Sequence, residues 1–191
     1  MAMRRVHYHT YEDWLALDEN TRAELIDGSI YLLAAPSRRH QEVSATVYFQ
    51  LATHISTKGC KKCKVYYSPF AVRLEKDVVV EPDITVVCDP QKLTKAGMDG
   101  APDLIIEILS PSTARHDKLT KFMLYRRACV PEYWIVDPAD NTLSVYRLTN
   151  GEYTISVYGN TDTATVNALP GFEMDLSTIL TDEDNETSED I

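Results

Sequence analysis

Apolar positions along the chain change their spacing from segment to segment, and the spacing predicts the elements. From Ser37 to about Lys58, Val43, Val47, Leu51 and Ile55 recur every fourth residue, which is the stripe one helix face offers a core. Ser37 suits the cap of that helix. Residues 11–27 mix Glu, Asp, Leu and Ala around Trp14, Leu15, Leu17, Ala23, Leu25 and Ile26; they predict a short helix, a break and another helical turn ending near Gly28. Strand patterns follow at 29–34, at 65–74 with a proline suggesting an edge or bulge, and at 83–88. Residues 89–101 read as loop, and 103–109, apolar except for one carboxylate inside the run, as a strand buried on both faces. A helix over 112–128 is expected to pack through Leu119, Phe122 and Met123. Strands at 131–137, 143–148 and 153–159 are divided by Asp-Asn and Asn-Gly turn signals at 140–141 and 150–151. The order predicts an α/β fold, a central mixed β-sheet flanked by helices.

Length and composition sharpen this to one domain. The chain has 191 residues, 44% hydrophobic and 25% charged, which is room for one core of ordinary composition. A single domain is expected over residues 1–178, followed by an acidic, disordered tail at 179–191. Of the net charge of −10, six charges fall in the last eleven residues, so residues 1–180 carry only −4. A globally basic nucleic-acid binder is excluded, whereas a local basic patch is not. The start lacks a signal-peptide core and no segment reaches the length of a membrane span, so a cytoplasmic chain with no membrane partner is expected. Cys60 and Cys63 form a lone CKKC, and Cys88 and Cys129 sit in apolar segments; reduced thiols are expected of all four. A zinc or redox role for the CKKC pair lacks the further ligands or the thioredoxin-like setting it needs, although His54 lies on the preceding helix. The lysines around it, Lys58, Lys61, Lys62 and Lys64, suit a solvated turn or a basic rim.

Candidate chemistry starts from acids in apolar surroundings, which are costly unless paired or bound to metal. Asp83 opens the strand after Pro82, and Glu107 interrupts LIIEIL. If their strands are neighbours the two carboxylates converge, and two such oxygen donors with waters suit Mg²⁺ or Mn²⁺. The same spacing also fits ordinary salt-bridge acids. The helix that follows carries Arg115, Lys118, Lys121, Arg126 and Arg127 against Asp117, and Asp117, Lys121 and Tyr125 form a stripe opposite the apolar side. Arg38, Arg39 and His40 at a helix start suit a phosphate, and Glu24 lies just before Gly28.

The succession AELIDGSIY, RRHQE, EPDITVV, PDLIIEILSPST, DKLTKFMLY and CVPEYWIVDP resembles the Uma2 or DUF820 family of the PD-(D/E)xK nuclease superfamily, from about Glu24 to about Tyr146. The resemblance implies a restriction-endonuclease-like core and a Mg²⁺-dependent (or Mn²⁺-dependent) DNA endonuclease. It implies that Asp83 and Glu107 are the metal-holding acids and that Glu24 is the first-helix acid completing the site. Leu109 stands where the superfamily motif has its lysine, and Lys121, or its neighbour Lys118, matches the position from which related families supply it. Tyr125 and His40 are accessory candidates. Leu109, the acidic net charge and the apolar strands at 143–159 also motivate a second reading, a non-catalytic module of the same fold that binds nucleic acid or a protein, including a second copy of itself as a homodimer.

Overall fold

Two large sheets and a two-stranded ribbon divide the strands among them, and the acids lie where the large sheets meet. The computed structural model describes residues 8–57, 62–110 and 116–180, with 116–118 described by backbone alone. In chain order the elements are α1 (Tyr11–Leu15), β1 (Ala23–Ile26), β2 (Ser29–Leu32), α2 (Arg38–Thr57), β3 (Lys64–Tyr67), β4 (Ala71–Glu75), β5 (Val78–Val80), β6 (Ile84–Val87) and β7 (Gly97–Asp99). After these come β8 (Leu104–Ile108), α3 (Phe122–Arg127), β9 (Glu132–Asp137), β10 (Thr142–Thr149), β11 (Glu152–Gly159), β12 (Thr163–Thr165) and β13 (Glu173–Asp175). A π-helical turn, His116–Lys121, runs directly into α3.

The six-stranded sheet has the order β11-β10-β9-β8-β6-β3, with β8 and β9 parallel and the other neighbours antiparallel. The five-stranded sheet runs β2-β1-β5-β4-β7. Side chains alternate across a strand, so β8 serves two cores. Leu104, Ile106 and Ile108 pack with Val43, Val47 and Leu51 of α2 and with the C-terminal ribbon of β12 and β13. Ile105, together with Tyr133 and Ile135 of β9, packs against Ile26, Val72 and Val80 of the other sheet and against Tyr125 of α3. All five residues of β8 are buried, as its apolar run requires. The α2 stripe faces the core as the four-residue spacing predicts, and Ser37 Oγ accepts the His40 amide at 3.2 Å as its cap.

Four expectations are corrected. Glu24 lies on a strand rather than late in a helix. Asp27 and Gly28 have φ of 48° and 77°, and Ile26 pairs with Ser29 across them, so Asp-Gly makes a two-residue hairpin turn that a helix could not accommodate. The 65–74 strand is two strands in different sheets, β3 and β4, separated at Pro69. The helix after β8 is rotated from its predicted face: Lys121, Leu124 and Tyr125 are buried and Phe122 packs against the second core as expected, while Leu119 and Met123 are 59% and 52% exposed. Lys121 and Tyr125 of its predicted polar stripe turn inward, where both meet the buried Glu107 carboxylate. Finally, Cys63 and Cys88 form a disulfide rather than free thiols. Lys64 pairs with Val87, so the antiparallel register sets Cys63 directly opposite Cys88, a meeting across 25 residues that local spacing does not reveal. Cys129 is a free thiol, but an exposed one.

Ile179 and Leu180 are buried in the first core, so packing continues past the expected end at 178. Cys60, Lys58, Lys61, Arg115 and the tail acids lie outside the described residues, as do the side chains of Asp117 and Lys118.

Candidate active site

The carboxylates expected to converge do so because β6 and β8 are antiparallel neighbours. Ile84 pairs with Ile106, and one further step sets Asp83 against Glu107. Asp83 Oδ2 accepts the amide of Ile108 at 2.8 Å, which holds its carboxylate beside Glu107, and His40 Nε2 meets the same oxygen at 3.1 Å. His40 comes from the first turn of α2, so the first helix core and the strand acids meet at one point.

Glu24 arrives from β1 of the other sheet. Its Oε1 accepts the Glu81 amide at 3.0 Å and lies 2.9 Å from Lys121 Nζ. The same ammonium is 3.0 Å from Glu107 Oε1, and Tyr125 donates to that oxygen at 2.7 Å. Glu24 is 0%, Glu107 3% and Lys121 4% exposed, so this triad is an ionic cluster out of water, where each charge requires its partners. Burial raises the Tyr125 hydroxyl well above the usual phenol range, and the Glu107 and Glu24 charges raise it further; it therefore stays protonated and remains a donor. Lys121 ends the π turn and Tyr125 follows four residues later, so the turn delivers both donors to one side of Glu107.

His40, Asp83, Glu107 and Lys121 line a cleft of about 380 Å³ with Arg22, Ser37, Ser68 and Glu81, while Glu24 and Tyr125 lie behind its wall. Arg22 and Glu81 are the site residues that the sequence reading passes over. Glu81 and Asp83 are two apart in an extended segment, and that spacing is the signal that sets both on one side. Burial raises the Glu81 carboxyl above its ordinary range, opposed chiefly by Arg22, whose Nε lies 3.1 Å from Glu81 Oε2. The basic residues expected to gather here mostly serve elsewhere. Arg38 pairs with Glu42, Arg39 donates to the Ile179 carbonyl, Arg126 pairs with Glu152, and Arg127 holds Asp27 and Glu75.

Among the described residues no three His, Cys, Asp or Glu side chains gather as a complete metal cage. Asp83 and Glu107 nonetheless fit a hard divalent ion such as Mg²⁺, which commonly takes one or two carboxylates and fills its shell with water and substrate phosphate.

Comparisons with known proteins bear on the fold and the family. A solved structure, a putative nuclease belonging to DUF820 from Anabaena variabilis ATCC 29413, superposes with a TM-score of 0.74 at 19% identity, covering 90% of this chain and 97% of that one. Two uncharacterized proteins of Synechocystis sp. (strain ATCC 27184 / PCC 6803 / Kazusa), slr1290 and sll1609, are 26% and 28% identical over 156 and 134 residues. Those alignments cover 79% and 67% of this chain and 80% and 74% of the relatives. The Uma2 model, described as "Putative restriction endonuclease", matches residues 8–177. The chain therefore belongs to the Uma2 family of restriction-endonuclease-like proteins.

Proposed function

We propose that the chain is a divalent-metal-dependent endonuclease that hydrolyses phosphodiester bonds in DNA. The observation carrying the reading is that Lys121 joins Glu24 to Glu107 at 2.9 and 3.0 Å while Asp83, held by the Ile108 amide, lies beside Glu107, so that four separated segments meet at one cleft. Asp83 and Glu107 are the residues to hold the ion, which when bound lowers the pKa of a water and offsets charge on the phosphate. Lys121 supplies a fixed ammonium beside Glu107, suited to orient the attacking water and to stabilise the charge that gathers on phosphorus-bound oxygen. Glu24 holds that ammonium in place at 2.9 Å, and Tyr125 fixes the Glu107 carboxylate by its 2.7 Å bond. The substitution at Leu109 is thus answered within the same site: the lysine comes to Glu107 from the helix instead of from the strand.

Cleavage of plasmid DNA and of labelled oligonucleotides in Mg²⁺ or Mn²⁺ tests the proposal. Asp83→Asn and Glu107→Gln are each expected to lower the rate by about a hundredfold or more. Full cleavage by both variants would show that the chemistry lies elsewhere.

A further inference from the structure

A polyanion entering this cleft meets three acids, Glu81, Asp83 and Glu107, with Glu24 buried behind them, and the cation at its floor is spoken for. Lys121 is 5% exposed at its side chain and sits between two carboxylates. His40 is 13% exposed and faces Asp83. Arg22 differs: its side chain is 35% exposed and it is a permanent charge on the wall of the same cleft.

Its backbone is fixed, because the Arg22 carbonyl accepts the Leu33 amide at 3.0 Å across the β1–β2 hairpin. Its guanidinium is held flat by two contacts, Nε to Glu81 and Nη2 to the Ser68 hydroxyl. An arginine has five N–H donors. Those two bonds leave both Nη1 hydrogens and one on Nη2, a fork that matches a phosphate bidentately. Resting on the nuclease reading above, we propose that Arg22, oriented by Ser68 and Glu81, is a substrate-binding residue that grips a backbone phosphate of the nucleic acid at the mouth of the cleft. Glu81 keeps its bond to Nε and leaves the fork free, but its negative charge beside the same guanidinium opposes the phosphate.

The test is binding of a short fluorescein-labelled DNA duplex to the full chain, followed by anisotropy in Ca²⁺ across a salt series. Arg22→Ala is expected to raise Kd about tenfold and to lower the slope of log K against log salt by about one. Arg22→Lys should keep that slope and recover part of the affinity. Glu81→Gln, which removes the opposing charge, should bind several-fold more tightly, and it tests the idea even if Arg22→Ala fails to fold. Native Kd and salt slope in folded Arg22→Ala, or unchanged or weaker binding by Glu81→Gln, would overturn it. If the unaltered protein neither binds nor cuts DNA, the nuclease reading falls too; if it does both and only these variants behave as native, the Arg22 assignment alone fails.

Discussion

At the scale of single residues, Lys121 is the most constrained side chain of the cleft. It neutralises two buried acids at once, so its removal strands both. Lys121→Met is expected to cost about 3–5 kcal/mol of stability near neutral pH, the usual penalty for breaking a buried ion pair from one side. Thermal melts would measure it, and adding Glu24→Gln in the same chain should restore part of the loss. A Lys121→Met protein as stable as the native one would mean that the cluster is wetter than its burial implies. Asp83 and Glu107 were legible in the sequence, because an acid inside an apolar strand run is costly and so calls for a reason. Lys121 was legible only through the family resemblance; periodicity alone put it on the outer side of its helix. Arg22 and Glu81 carried no such contradiction, since a charged residue at a strand end looks like any surface residue until the fold closes over it.

Among the elements, the long and strongly periodic ones were read directly: α2, β8 and the strands β9, β10 and β11 lie where alternation and four-residue spacing put them. Of the short ones, β2 and β6 fall within strands expected at 29–34 and 83–88, but others were not read. β1, β5 and β7 have four, three and three residues, too few for a period to declare itself, and they owe their form to pairing with distant strands. β7 shows how tight that pairing is. Gly97 pairs with Ala71 in the parallel β4–β7 ladder at a φ of 149°, and a Cβ there would overlap the Ala71 carbonyl. Gly97→Ala should therefore cost about 1–3 kcal/mol through overpacking, read as a lower Tm. Gly151→Ala is the control at a loop tip, where a Cβ meets nothing within 4 Å and only the φ of 83° opposes it. Equal losses in the two would show that backbone angle, not the close approach, governs both sites.

For the molecule as a whole, the disulfide is the one covalent tie across the described sheet pairs. It joins β3, at the margin of the six-stranded sheet, to β6, the strand that follows Asp83. Closing a separation of 25 residues is worth about 3 kcal/mol through the unfolded chain. Dithiothreitol should lower the Tm of the native protein and leave that of Cys88→Ser unmoved, with the cleft residues unaffected in either case. The residues of the cleft span the chain from Arg22 to Lys121, and they alternate between sheets: Glu24 from one, Asp83 and Glu107 from the other, Lys121 from the helix that bridges them. No single hairpin or sheet holds an acid pair together with its cation. A chain still leaving the ribosome has Glu24 and Asp83 well before Lys121, and it has the lysine before the strands β9 to β11 of the six-stranded sheet. Whatever the cleft does to its substrate waits until segments of both sheets and the helix have come together, so a partly folded chain carries no assembled cleft.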